Sequence, residues 1–358
     1  MRFAKLVPTL VLVGFVVMAC GGSGNGGTTS AKKIALLLPE SKTARYESKD
    51  RPFFTAKLKS LGFDTNNLIY SNANQDAPTQ QTQAEAALTN GASVLVLDPV
   101  DGAAAAAIVA KAKAKNVPVI SYDRLILGTA DLNYYLSFDN AAVGALQGTA
   151  LLTALNGKAN AKVVMINGDP ADNNAKLFKQ GAHSILDGKV TIAKEYDTPS
   201  WSPDKAQTEM QGAITAVGKN IDGVLAANDG TAGGAIAAMK SAGISPLPPI
   251  TGQDAELAAI QRILAGEQYM TVYKALKAEA EAAATLAYDL ATGAAVPSSM
   301  TNGKTTNNGA ADIKSVLLTP VAVTKANIKD TVVADGFWTK TDICTSTFAA
   351  ACTAAGIS

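Results

Sequence analysis

The chain of 358 residues contains one histidine, His183, and three cysteines. A single histidine excludes a multi-His metal site and an imidazole proton relay. Aromatic residues make up 6% and charged residues only 17%, with 31 basic against 30 acidic groups. A nucleic-acid binder needs a basic surplus to displace phosphate counterions, and this chain has none. A disordered chain would combine high charge with low hydrophobicity. The apolar run near the amino terminus is about 14 residues, short of the ~20 a membrane span requires. No D-x-[DN]-x-[DN]-G pattern is present, so no structural calcium, other metal or cofactor is expected. Asn302-Gly303-Lys304-Thr305 resembles the end of a phosphate loop, but Ser298 stands where that loop needs Gly. What is present is 47% hydrophobic residues, enough for packed cores in two domains of about 100–200 residues each.

The amino terminus reads as an address. Arg2 and Lys5 precede the apolar stretch Leu6 to Ala19, and Val17-Met18-Ala19-Cys20 matches a bacterial lipobox, in which the cysteine is acylated and becomes the new first residue. Residues 1–19 are thus expected to be a lipoprotein signal peptide. The Gly/Ser-rich stretch 20–31 fits a flexible tether. Without residues 1–19 the formal net charge falls from +1 to −1. The chain is expected outside the cytoplasm, held at the membrane only through lipid on Cys20. Cys344 and Cys352 remain, and in an oxidising space they read as a disulfide. Two buried thiols are the alternative, and the spacing is not that of a metal site.

The body alternates strand and helix. Continuous apolar runs at 34–38, 93–97, 117–121, 163–166, 190–192, 224–227, 249–251 and 270–272 have the form of parallel strands buried on both faces. Helical stretches lie between them, at 102–115, 173–187, 203–218, 231–242, 255–265 and 275–292. This predicts an α/β fold of two doubly wound, Rossmann-like parallel sheets rather than one oversized sheet.

In open α/β sheets ligands bind at the carboxyl ends of the strands. The polar residues that follow the apolar runs are Arg45, Tyr46, Asp98, Asp123, Arg124, Asp172, Asn173, Asn174, Trp201, Asn228, Asp229, Asp254 and Lys274. Carboxylates and amides accept hydrogen bonds, Arg and Lys donate them, and each hydroxyl of a neutral polyol does both. Aromatic rings can cover the apolar C–H face of a sugar. Arg45, Arg124 and Lys274 balance Asp123, Asp172 and Asp254, whereas an anionic ligand would call for positive surplus. Simpler roles compete with these. Asp172-Asn173-Asn174 can cap a helix, Asp229 can cap the next with Asn228 facing the ligand, and Asp98-Pro99 can be a turn. His183 is expected at the surface or core edge, and Trp201 in a loop that does not bury it fully.

Several stretches carry a specific resemblance. They include Tyr122-Asp123-Arg124-Leu125-Ile126, Asp172-Asn173-Asn174-Ala175-Lys176-Leu177-Phe178, Asn228-Asp229-Gly230-Thr231, Gly252-Gln253-Asp254-Ala255 and Met270-Thr271-Val272-Tyr273-Lys274. In that order, over about 33–338, the chain resembles the xylose-binding proteins of sugar ABC transporters, within the type I periplasmic binding protein superfamily. The resemblance implies two lobes, 32–138 plus 273–318 and 139–272 plus 319–358, joined by a three-segment hinge. It implies ligand contacts from Arg45, Asp123, Arg124, Asp172, Asn174, Trp201, Asn228, Asp254 and Lys274. Tyr46 joins them, standing where the family commonly has Trp, in a loop one residue longer than usual. It implies a monomer that takes a monosaccharide, D-xylose first, and hands it to an ABC permease without catalysis. Another sugar receptor (glucose, galactose, ribose or arabinose) is the nearest alternative, and a sugar-processing enzyme a remote one. A regulator of the same fold would carry a DNA-binding helix-turn-helix where the export signal stands.

Overall fold

A computed structural model describes Met1 and residues 32–357. The expected signal peptide, Cys20 and nearly all of the tether lie outside the described residues.

The first sheet is built from β1 (Lys33–Leu38), β2 (Leu68–Asn72), β3 (Ala92–Leu97), β4 (Val119–Tyr122) and β5 (Tyr134–Phe138), with β10 (Thr305–Asn307) and β11 (Asp312–Leu318) returning late in the chain. Its order is β10-β11-β5-β4-β3-β1-β2, parallel throughout except at the β10–β11 edge. The apolar runs have no polar alternation because both faces are covered. Ala35, Leu37, Leu95 and Leu97 pack toward α2 (Ala77–Thr89) and α3 (Ala106–Ala114). Ile34, Leu36, Leu38, Val94 and Val96 pack with side chains of α1 (Arg51–Ser60) and α9 (Leu276–Thr292).

The second layer comprises β6 (Lys162–Asn167), β7 (Thr191–Asp197) and β8 (Gly223–Ala226) in the order β7-β6-β8, together with the antiparallel pair β9 (Met270–Tyr273) and β12 (Val321–Thr324). Single parallel bridges, Val224 to Ile250 and Gln253 to Val272, lie at β8 and at β9. The expected strand at 249–251 therefore shrinks to one bridge. Pro248 and Pro249 lack the N–H that a ladder needs. Helices α4 (Asn140–Leu155), α5 (Asn173–Leu186), α6 (Pro203–Val217), α7 (Asp229–Ser241) and α8 (Leu257–Ala265) belong to this layer. Helices α4 and α5 approach so closely that a Cβ on Gly144 would lie 1.9 Å from the Phe178 carbonyl oxygen, so no larger residue fits there. The helix expected from 102 begins only at Ala106, after a run of turns.

The chain passes from the first sheet to the second after Phe138, returns after Tyr273, and leaves again after Leu318. Beyond β12 the tail packs Phe337, Ile343, Cys352 and Ile357 into a core with Phe138, Tyr273 and Leu276. Cys344 and Cys352 are joined as a disulfide, with their Cα atoms 5.9 Å apart, which closes this tail into a short loop.

Candidate functional site

The parallel strands of each sheet end at the same side, and the polar site residues lie on the segments that follow them. Residues 45–46 and 123–124 come from the first sheet, 172–174, 201, 228 and 254 from the second, and Lys274 follows β9. All ten expected ligand residues line one cavity, with Thr43, Phe178 and Gln253 besides. The space these side chains leave between them is small, a cavity of about 20 Å³.

Arg45 is buried at its centre. The guanidinium donates to both Asp50 carboxylate oxygens at 2.9 and 2.7 Å, to Glu279 Oε2 at 2.7 Å and to Asp123 Oδ1 at 3.0 Å. One Nη1 hydrogen is left for a ligand. Tyr46 donates to Asp123 Oδ2 at 2.9 Å and accepts from Arg124 at 3.2 Å. Both residues sit where a π-helical turn, Tyr46–Asp50, begins. Such a turn takes up one extra residue without displacing its neighbours, consistent with the longer loop seen in the sequence.

Arg124 reaches across to the second layer, its Nε 3.1 Å from Asp172 Oδ2. Asp172 also accepts from Trp201 Nε1 at 3.1 Å and from the Asn174 amide at 2.8 Å, so it caps α5 and faces the cavity together. Asn174 donates to the Asp123 carbonyl at 2.9 Å and accepts from Asn140 at 2.9 Å. Lys274 Nζ lies 3.1 Å from Asp254 and 3.8 Å from Asp123. Gln253 Oε1 accepts no hydrogen bond from the protein, and Asp254 Oδ1 meets only the Lys274 ammonium.

Two expectations need correction. Asn228, not Asp229, is the helix cap: its Oδ1 accepts from the Thr231 amide at 2.8 Å in a reciprocal capping box. Asp229 is buried instead, accepting from Gln268, Thr271 and the Glu256 amide. Trp201 is 4% exposed, not half open. Its indole lies flat on Gly168, where a Cβ would come 2.0 Å from the ring, and meets Phe178 edge-on at 6.3 Å between centroids. Asp98 is more than a turn residue, since its buried carboxylate stands 3.6 Å from Arg124. His183 is half-buried between Asp187 and Glu195, away from the cavity.

The charge balance is also richer than three against three. Behind the lining residues stand the buried acids Glu40, Asp50, Asp98 and Glu279. Burial pushes Asp98 and Glu279 well above the usual carboxylate range, against the pull of Arg124 and Arg45 respectively, which favours their protonated forms. Burial acts on Asp123 too, but Arg45, Lys274 and Arg124 outweigh it and hold that carboxyl at about 2. Asp123 is thus a fixed acceptor, not a proton donor. Asp123, Trp201 and Asp254 have φ of 54°, 51° and 90°. Such backbone costs about 1–3 kcal/mol each and concentrates at functional sites.

Among the described residues no cluster of His, Cys, Asp and Glu could hold a metal ion, and no helix is long and apolar enough to cross a membrane.

Comparison with known proteins decides the family. Residues 34–295 match the model of the periplasmic binding protein domain. The chain belongs to the periplasmic binding protein family. It is 40% identical over 316 residues to the D-xylose-binding periplasmic protein of Escherichia coli, covering 87% of this chain and 92% of that one. The protein of the same name from Haemophilus influenzae is 39% identical over the same shares. Among solved structures, an ABC transporter solute-binding protein from Clostridium phytofermentans with bound β-D-glucose superposes with a TM-score of 0.79 at 29% identity, covering 87% of this chain and all of that one. A Caulobacter myo-inositol-binding protein gives 0.74 at 26% identity, with 87% and 98% covered. The fold is the type I periplasmic binding protein fold, and these relatives are named as binding proteins, not enzymes.

Proposed function

We propose that this periplasmic binding protein is the solute receptor of an ABC importer and takes a neutral monosaccharide, D-xylose first, between two lobes. The observation that supports it most is the convergence on one cavity of Arg45, Tyr46, Asp123, Arg124, Asp172, Asn174, Trp201, Asn228, Asp254 and Lys274, delivered from both sheets. Their donors and acceptors match a ring of hydroxyls. Gln253 Oε1 is an acceptor that a hydroxyl would satisfy, and Tyr46, Phe178 and Trp201 offer rings for its C–H face. The pentose is favoured by the xylose-binding relatives at 39–40% identity.

In this reading residues 32–138 plus 273–318 form one lobe and 139–272 plus 319–358 the other, hinged at the three crossings. Sugar contacting both lobes favours the closed form. The closed monomer docks on the permease, tethered to the membrane by lipid on Cys20. No bond of the sugar is made or broken.

Titration calorimetry of the mature chain with D-xylose, D-glucose, D-ribose, L-arabinose and D-galactose tests this. D-xylose is expected to bind tightest, and Asp254→Ala to weaken it at least tenfold with the melting curve still cooperative. Tighter glucose binding would replace the pentose with a hexose, and no heat with any of these sugars would end the receptor reading.

A further inference from the structure

Lys49 stands three residues beyond Tyr46, at the far side of the π-helical turn, and its side chain does not line the sugar cavity. It reaches instead to the tail that follows the third crossing. Its ammonium donates to the Phe337 carbonyl at 2.6 Å, lies 3.5 Å from the centroid of the Trp338 ring and 4.6 Å from that of Phe337. A cation over two aromatic faces and on a carbonyl is a specific contact, not a solvated surface lysine.

Trp338 is fixed to the opposite wall of the site, and Phe337 to the second crossing. Trp338 Nε1 donates to the carbonyl of Ala255, next to Asp254, at 2.8 Å. Phe337 meets Tyr273, next to Lys274, edge-on at 5.1 Å. Lys49 therefore ties the segment carrying Arg45 and Tyr46 to the segment carrying Asp254, beside the crossing at Tyr273. Beside this tie lies a second, mainly apolar cavity, with Ala44 and Ser48 on one side and Leu257 and Trp338 on the other.

We propose that the Lys49–Phe337–Trp338 contact is a latch: it forms as the two walls close over the sugar and sets how fast the sugar leaves. This rests on the receptor reading, because a latch has meaning only if the walls separate. The contact suits the task. A lysine ammonium rehydrates readily when pulled from an aromatic face, so the latch resists opening without welding the lobes shut. It acts through closure and touches no ligand atom, so it works on the release rate and not on recognition.

Lys49→Met keeps the length and apolar stem of the side chain and removes its charge. In stopped-flow fluorescence with D-xylose, the variant is expected to release sugar about tenfold faster, with the association rate within twofold of wild type. Lys49→Arg, which restores a cation over the rings, is expected to recover most of the slow release. The melting temperature of the sugar-free variants should match wild type. An unchanged release rate in Lys49→Met overturns the latch, and so does an equal loss of sugar-free stability, which would make the contact a static strut. Small-angle scattering of wild type with and without D-xylose separates this from the parent reading. Compaction with unchanged release removes the latch alone, whereas no compaction removes closure and the latch with it.

Discussion

The two walls of the cavity are built on different chemistry. On the first-sheet side, Arg45 is held by Asp50, Glu279 and Asp123, and Tyr122 donates to Asp50 behind it. None of these side chains caps a helix; they form a buried ion network whose members position one another. On the second-sheet side, Asp172 and Asn228 begin α5 and α7 by accepting backbone amides, and face the cavity with what remains. The first wall depends on charge pairing over long sequence separations, the second on local helix starts. Breaking the first therefore strips a partner from a buried charge, while the second can lose a ligand contact and keep its fold.

The largest expected effect is on the first wall. Asp123→Ala removes the acceptor of both Arg45 and Tyr46 and the close neighbour of Lys274. Removing one partner from a buried ion pair costs up to about 3–5 kcal/mol, here reduced because Arg45 keeps Asp50 and Glu279 and Lys274 keeps Asp254, and sugar affinity is expected to fall more than 100-fold; chemical denaturation and calorimetry measure the two. The same carboxyl gives a pH signature. Its folded value is depressed to about 2, below about 3.9 in an unfolded chain. The stability it contributes is fully present above the unfolded value and is lost as pH falls toward 2. Asp123→Ala should therefore flatten the acid limb of the stability curve between about pH 4 and 2. A full acid limb in the variant would assign that loss to other carboxyls.

A smaller effect is expected from Gly168→Ala on the second wall. The new methyl would sit 2.0 Å from the Trp201 ring, so the indole must shift and its bond to Asp172 lengthen. Overpacking of this kind costs about 1–3 kcal/mol. Affinity for D-xylose should fall roughly tenfold with a modest drop in melting temperature. Wild-type affinity would show that the indole face takes no part in binding.

The difference between the walls also explains what could be read in the sequence. The strands 34–38, 93–97, 163–166 and 224–227 were legible because burial on both faces leaves no polar residue in them except Ser93 at one start. The edge strand β2, Leu68–Asn72, is only half-buried and contains Tyr70, Ser71 and Asn72, so no apolar run announced it. Strands β10 to β12 are short or polar for the same reason. The site residues were legible because each lies in the segment that follows an apolar run. Phe178 and Gln253 had a signal, one turn beyond Asn174 and one residue before Asp254, and were passed over in favour of more polar neighbours. Thr43 had none. Of the supporting acids only Asp98 follows an apolar run directly: Glu279 pairs with Arg45 across 234 residues of chain, and no spacing rule spans that distance. Asp229 was taken for the cap because both it and Asn228 are good capping types, and only backbone geometry separates them.

Asn228 gives the finest cut between capping and binding. Its Oδ1 is committed to the Thr231 amide, while its Nδ2 has no protein acceptor. Asn228→Ser keeps an oxygen able to cap α7 and removes the amide donor. Ser and Asn are close in capping strength, so stability should change by no more than about 0.5 kcal/mol, against about 1 kcal/mol for Asn228→Ala. Sugar affinity should fall about fivefold in both variants, because both lose the same donor. Equal destabilisation by Ser and Ala would mean that the shorter side chain cannot reach the amide. Full affinity in both would reduce Asn228 to a helix cap, and the second wall would then bind through Asp172, Asn174, Trp201 and Asp254 alone.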